Sequence, residues 1–585
     1  MRLFMLRSRM HNKKKLFFFI ICVIILMIVL VVRLSYLMVY KSLYYSDKAE
    51  DVHQRERVIK AARGCILDRN GEIIASNKTV CTISVIYNQI EDSEKVIEVL
   101  SKELSMDAEE VRKKVSKVSS IEKIKSNVDK EIGDRIRAYD LAGVKVDEDY
   151  KRYYPFSTLA SKVLGFTGAD NQGIIGLEVW YEEYLKGDDG KILTTTDAKG
   201  VEIADVVENR VEPVAGLNLV TSLDVNIQKY CEQAAKKTLE AKEANYVSII
   251  VMNPQNGEIY AMVNAPEFDL NNPYELNYET ETEISANEKM DALNKMWRNQ
   301  VINDTYEPGS TFKMITATAA IELGVVNEST GFSCPGFKIV DDRRIRCHKT
   351  TGHGAETFQE GLLNSCNPVF IETGLRLGKE NLFLYMDKLG LMKKTSVDLP
   401  GEAGSIMHNI DNVKNVELAT MSFGQSFQIT PLQLLTATSA IINGGRLVTP
   451  HFGVMTVDED GNIVEEFQYS ETSGVIDETT SEKMKSMLEK VVSEGGGSKC
   501  QIEGYLIGGK TATSEKLPRG NGKYIASFIG FAPADNPEVI AMCIIDEPTG
   551  IYYGGTIATP VIREVFENIL PYLGVDYSLE KDYTD

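Results

Sequence analysis

The stretch Glu307-Pro308-Gly309-Ser310-Thr311-Phe312-Lys313-Met314 (EPGSTFKM) sets a serine three residues ahead of a lysine, just past a Pro-Gly turn and at the head of an apolar-rich run. On a helix, residues i and i+3 share a face. A serine hydroxyl is a weak nucleophile until a base takes its proton, and a lysine serves as that base when burial or nearby positive charge lowers its pKa. A helix N-terminus beside the serine also favours the oxyanion that forms during attack. The same spacing describes an ordinary helix from Thr311 to Leu323, with Ser310 as its N-cap and Gly324 as its stop. Two clusters downstream favour the chemical reading. Ser365-Cys366-Asn367 lies in GLLNSCNPVFIETG, just before Pro368, and Lys510-Thr511-Ala512-Thr513 lies in the strand-like run YLIGGKTATSE.

S-x-x-K, S-x-N and K-T-x-T in this order are the active-site set of penicillin-binding proteins and serine β-lactamases. Each is weak alone, and the ordered trio is specific. The chain resembles the class B penicillin-binding proteins, the monofunctional D,D-transpeptidases of peptidoglycan synthesis, and the likeness runs nearly end to end. RGCILDRNG (Arg63 to Gly71) is similar to that family's membrane-proximal signature, RYYP (Arg152 to Pro155) and GIIGLE (Gly173 to Glu178) resemble its linker motifs, and YYGGTIATPVIREV (Tyr552 to Val565) resembles the end of its catalytic domain. The resemblance implies an α+β transpeptidase domain, a five-stranded antiparallel sheet between helical layers, on a non-catalytic pedestal with one N-terminal membrane anchor. It implies that Ser310 attacks the penultimate D-Ala carbonyl of a stem peptide, that Lys313 activates it and that Ser365 relays the proton. Asn367 would hold the substrate amide, Lys510 would supply positive charge, and Thr511 and Thr513 would bind the substrate carboxylate. It implies stem peptides and β-lactams as ligands, a SEDS-family glycosyltransferase and other cell-wall machinery as partners, and no cofactor for the chemistry.

One departure stands out. The third motif usually carries glycine where this chain has Ala512, and glycine there allows close approach of the strand to the nucleophile's helix. Cysteine usage is the second unusual feature. Cys334, Cys347, His353 and Cys366 follow a Cys-x12-Cys-x5-His-x12-Cys pattern, ligand types for a structural Cys3His zinc site though not a common zinc-finger spacing. If Ser365 and Asn367 both face substrate, Cys366 points the other way, toward the loop that carries the rest. His348 directly follows Cys347, which makes His353 the preferred fourth ligand. Free thiols, or a disulfide such as Cys334–Cys347, are the other readings of the same residues. Cys65, Cys81, Cys231, Cys500 and Cys543 are dispersed and read as packing residues, and His408 and His451 as loop or surface residues.

The elements that must position these residues follow from texture. At 585 residues two or more domains are expected. The net charge of −20 excludes a nucleic-acid partner, which would need concentrated positive charge. Arg2, Arg7, Arg9 and Lys13-Lys14-Lys15 precede the uncharged block Leu16 to Val32, seventeen residues that rise about 26 Å as a helix. With no small-x-small cleavage site after it, this reads as an uncleaved single-pass anchor in the cell membrane, N-terminus cytoplasmic and catalytic domain outside. The expected division is a tail at 1–15, a span at 16–40, a pedestal at 50–215, a transpeptidase domain at 216–575 and a tail at 576–585. Glu91 to Val146 reads as a small helical subdomain, Tyr246 to Pro266 as a hairpin about Asn256-Gly257, and Thr559 onward as a terminal amphipathic helix. A β-lactam sensor or inactive scaffold would keep the same motifs, and a D,D-carboxypeptidase or β-lactamase would need water as the acyl acceptor.

Overall fold

The computed structural model describes residues 2–42, 44, 54–119, 121–195, 209–279 and 284–577. The chain forms two compact units. One comprises Met1–Ala61, Thr79–Tyr150 and Asp188–Val214, and the other Ala62–Lys78, Lys151–Gly187 and Ala215–Asp585.

Helix α1 (Arg2–Ser35) opens the first unit. Lys15–Tyr40 is 26 residues, with an 18-residue stretch of mean hydropathy 3.3 that is not buried against protein, long and apolar enough to cross a membrane. Such a surface needs lipid around it. Further along, helices Ser93–Leu104, Ala108–Val115 and Lys130–Ala138 are joined by strands Glu122–Asp129 and Val144–Tyr153, so this stretch is mixed rather than helical. The reason lies in IEKIKSNVD, where Ile124 and Val128 are buried among the helix residues Val96, Leu100, Val111 and Ile136 while Lys123, Lys125 and Asp129 face out. Strong neighbouring helical periodicity masks a short alternating strand.

In the second unit, α2 (Val225–Lys242) leads into β1 (Tyr246–Met252) and β2 (Ile259–Ala265), the expected hairpin. The middle of the chain supplies α3 (Lys313–Glu322), α4 (Phe358–Leu363), α5 (Asn367–Leu377), α6 (Pro431–Ile442) and α7 (Glu478–Ser493). Then come β3 (Gly508–Glu515), β4 (Tyr524–Ala532), β5 (Val539–Asp546) and α8 (Thr559–Leu573). The five strands form one sheet in the order β2-β1-β5-β4-β3, every neighbour antiparallel. Successive side chains on a strand point to opposite faces. Val247, Ile249 and Val251 pack with Ile227 and Cys231 of α2 and Val565 and Phe566 of α8. Ile250 and Met252 pack into the opposite core with Ile315 of α3, Leu434 of α6 and Met487 of α7. Both faces are covered, which is why YVSIIVM is almost wholly apolar rather than alternating, with Ser248 donating to Asn264 Oδ1 at 3.1 Å. This is the α+β sheet between helical layers that the motifs imply.

A buried ionic node explains three sequence signatures at once. Arg63 Nε donates to Glu178 Oε2 at 2.7 Å, Arg152 Nε donates to Glu178 Oε1 at 2.6 Å, and the Tyr154 hydroxyl donates to the same Oε1 at 3.1 Å. Arg63 and Glu178 have no exposed side-chain surface. Burial alone would raise Glu178, but Arg152 and Arg63 hold it below the usual carboxylate range. Arg63 also pairs with Glu182 at 2.7 Å, so Glu178 is the shared centre, and its removal would strip buried Arg152 of its carboxylate at a cost of about 3–5 kcal/mol.

Candidate active site

The segment around Ser310 is not a capped helix start. Gly309–Phe312 is a 3-10 turn, α3 follows from Lys313, and no side-chain cap hydrogen bond is made at either N-cap position, Pro308 or Phe312. Gly309 has φ +57°, and a Cβ there would lie 2.2 Å from Ser514 Oγ and 3.7 Å from Ala512 Cβ. Its amide donates to the Gly424 carbonyl at 2.9 Å. Glycine is needed because the turn is pressed against β3 on one side and the 424 loop on the other.

Lys313 is fully buried. Its Nζ donates to the Ser365 carbonyl at 2.7 Å, to Ser365 Oγ at 3.2 Å and to Asn367 Oδ1 at 2.8 Å. Burial lowers its pKa to about 8, against the opposing pull of Cys366, Cys347 and Glu356. Lys510, also fully buried, donates to Ser365 Oγ at 3.1 Å and to the Thr511 carbonyl at 3.1 Å. Burial, then the charge of Lys313, drives Lys510 well below the usual lysine range. The hydroxyl of Ser365 thus sits between two amines, each displaced toward neutrality. Ser365 itself has φ +53°, a left-handed conformation that costs a non-glycine residue of order 1 kcal/mol and is concentrated at functional sites.

Alternation along β3 sorts the third motif by face. Lys510, Ala512 and Ser514 are buried, while Thr511 and Thr513 are half-buried on the other side. Thr513 Oγ1 accepts the Gly554 amide at 3.0 Å, which leaves its proton for an incoming anion. Ser310, Ser365, Asn367, Thr511, Ala512 and Thr513 line one cleft of about 730 Å³. The methyl of Ala512 faces the Gly309 turn. Ala512→Gly is therefore expected to raise acylation by cephalosporins, by up to about tenfold for one methyl group at a packed contact. The check is the second-order acylation rate with a chromogenic cephalosporin, and an unchanged or slower rate would show that the Ala512 methyl does not limit acylation.

Beneath the second motif, the three cysteines and His353 converge. Strand Gly331–Cys334 pairs with Gly354–Thr357 in a register that sets Cys334 opposite Gly354, next to His353. The hairpin Phe337–Val340 with Arg343–Arg346 then returns Cys347, whose amide donates to the Gly336 carbonyl at 2.9 Å. The ligand atoms of Cys334, Cys347, His353 and Cys366 lie within 4.8 Å of one another, and Cys347 Sγ is 3.7 Å from His353 Nδ1. Ligands of a tetrahedral zinc are about 3.4–3.8 Å apart, so the set fits such an ion. All nine cysteines are free. A hydrogen bond from Cys366, then those from His348 and the amides of Asn367 and Lys349, lower the Cys347 thiol. The same contact with Cys347, followed by burial, raises Cys366. Asn367 Nδ2 donates to the Arg346 carbonyl at 3.1 Å, so the cysteine loop holds the asparagine of the second motif directly.

Some residues in and beside the cleft escaped the sequence reading. Tyr524 and Tyr552 stack at 4.0 Å in the cleft wall, with Tyr553 beside them. Lys349 and Glu494 also line the cleft. Glu307 accepts the Ser426 amide at 2.8 Å and an ion pair from Arg519, tying the Ser310 segment to the loop after β3. The Tyr-Tyr-Gly-Gly run was a usable signal, whereas Glu494 and Arg519 carry none. His451, read as a loop or surface residue, is buried and stacks on Tyr469 at 3.7 Å.

The description "Penicillin binding protein transpeptidase domain" matches residues 247–567, and "Penicillin-binding Protein dimerisation domain" matches 58–221. The chain is 39% identical over 567 residues to stage V sporulation protein D of Bacillus subtilis, covering 94% of this chain and 85% of the relative. The chain belongs to the penicillin-binding protein transpeptidases. It is also 28% identical over 556 residues to the probable peptidoglycan D,D-transpeptidase PenA of Neisseria meningitidis, with 93% of this chain and 90% of that one covered. In fold it is similar to penicillin-binding protein 2X of Streptococcus thermophilus, with a TM-score of 0.71 at 20% identity over 88% of this chain and 80% of that one. A peptidoglycan synthetase from Bifidobacterium adolescentis gives a TM-score of 0.73 at 24% identity, over 90% and 98% of the two chains. Like other members of its family, this chain is a serine-type peptidoglycan D,D-transpeptidase of the class B arrangement, with an N-terminal apolar helix as membrane anchor.

Proposed function

We propose that Ser310 carries the acyl group. The hydroxyl of Ser365 held between two buried lysines is the observation on which this rests. Lys313, displaced toward the neutral amine, takes the proton of Ser310 as it attacks the penultimate D-Ala carbonyl of a stem peptide. Ser365 passes a proton to the departing D-Ala amine, with Lys510 supplying charge to that path. Asn367 holds the substrate amide, Thr511 and Thr513 hold the terminal carboxylate, and the amides of Ser310 and Thr513 face the oxyanion. An amine of a second stem peptide then takes the acyl group.

The test is labelling of purified full-length protein with a fluorescent penicillin. Wild type is expected to give a stable label mapped to Ser310, and Ser310→Ala none. A label that survives in Ser310→Ala would overturn the assignment, and one that decays within seconds would favour a hydrolase.

Cys334, Cys347, His353 and Cys366 are proposed as a structural zinc site, since four protein ligands leave no open position for chemistry. The ion would brace the loop that holds Asn367. Residues 50–215 serve as the non-catalytic pedestal and 216–575 as the catalytic domain. Arg2, Arg7, Arg9 and Lys13 to Lys15 ahead of the span favour a cytoplasmic N-terminus. A separate SEDS-family polymerase would supply the glycan strands, docking through span and pedestal.

A further inference from the structure

We propose that Glu494, at the C-terminal end of α7, forms the subsite that captures the ammonium group of the acceptor strand. This rests on the Ser310 acyl-enzyme reading. Glu494 is the one carboxylate among the described residues that line the cleft, where the other charged side chain is Lys349. It is exposed, and its carboxylate enters no ion pair or hydrogen bond among the described residues. It is the C-cap of a 16-residue helix. A helix C-terminus carries partial negative charge, so an acid there is poorly placed for stability, while helix and carboxylate together favour a cation.

The surrounding chain leaves room for one. Glu494 is followed by Gly495 and Gly496, and a Cβ on Gly496 would stand 3.7 Å from Thr511 Oγ1. The turn therefore borders the side of the cleft where Thr511 and Thr513 hold the donor's terminal carboxylate. Aminolysis of the acyl-enzyme is the reverse of its formation, so the incoming nitrogen enters where the leaving nitrogen departed, beside this turn. At neutral pH that nitrogen arrives as ammonium. It gives one proton to solvent, its nitrogen bonds the acyl carbon, the ester bond to Ser310 Oγ breaks, and a second proton passes through Ser365 to Ser310 Oγ. Glu494 acts before these steps, by concentrating the cation at the acyl carbon.

The experiment forms the acyl-enzyme of the full-length protein from a benzoyl-D-alanyl thioester. It is then partitioned between water and each of two acceptors, glycylglycine amide, a cation at pH 7, and methoxyamine, which is uncharged there. Glu494→Gln is expected to lower the ratio of aminolysis to hydrolysis about fivefold for glycylglycine amide, the upper range for a solvent-facing ion pair. The methoxyamine ratio should stay within about twofold, and Glu494→Asp should recover most of the loss. In wild type, raising sodium chloride should depress only the cationic ratio. Ratios that ignore both the substitution and salt, or that fall alike for the two acceptors, overturn the proposal. Failure of any acyl group to form on Ser310 would instead remove the underlying reading and this inference with it.

Discussion

Replacing Lys313 with methionine is expected to slow acylation by penicillin about 10³-fold, the contribution of a well-placed general base. Methionine keeps most of the buried volume and removes only the amine. The pH profile gives the sign. Only the unprotonated amine can accept the proton of Ser310, and burial places Lys313 at about 8. The wild-type acylation rate should therefore be low at pH 6, climb through about 8 and level above it. In Lys313→Met that rise should vanish along with the rate. Stopped-flow acylation between pH 6 and 9, with thermal melts of both proteins, separates loss of the base from loss of the fold. A variant that keeps its rate, or a flat wild-type profile, would take Lys313 out of the base role and leave it as the clamp that holds Ser365 and Asn367.

Removing the metal proposed beneath the second motif should produce the other large effect. Purified protein is expected to contain one zinc per chain, and chelation or Cys366→Ala should lower the melting temperature by about 5–10 °C. Acylation should fall as well, by about tenfold, because Asn367 loses the firm position of the Arg346 carbonyl that accepts its amide. Elemental analysis and calorimetry of the same preparation provide the check. Far less than one zinc per chain, with unchanged melting after chelation, would return the four residues to a packed thiol cluster.

Much of this was legible without coordinates because its signals are local. A serine and lysine three apart, an alternating strand after Gly508-Gly509 and a long uncharged run after basic residues are each written within one turn, one strand or one span. A sheet assembled from distant pieces was readable in outline from apolar runs such as Tyr246–Met252 and Val539–Asp546 set far apart along the chain, while its five strands were what the family resemblance implied. Where one local signal overlies another, as with the strand Glu122–Asp129 among strong helices, the reading failed. The cysteines were half legible: ligand types and the outward turn of Cys366 came from the sequence, but the pairing of Cys334 opposite Gly354 is a strand register.

By itself, then, the sequence determined which residues can do chemistry, in what order they come, and that the protein is built on an apolar anchor with an α+β domain. Only the tertiary structure decided how the charges meet. Lys510 reaches Ser365 across a contact between a strand and a helix start far apart in the chain, and the pKa of Lys313 follows from complete burial that no spacing records. Arg63, Arg152 and Glu178 likewise share one buried node although they lie in separate signatures. Reactivity here depends on distance and desolvation, and both are set by packing between segments rather than by the order of residues within them.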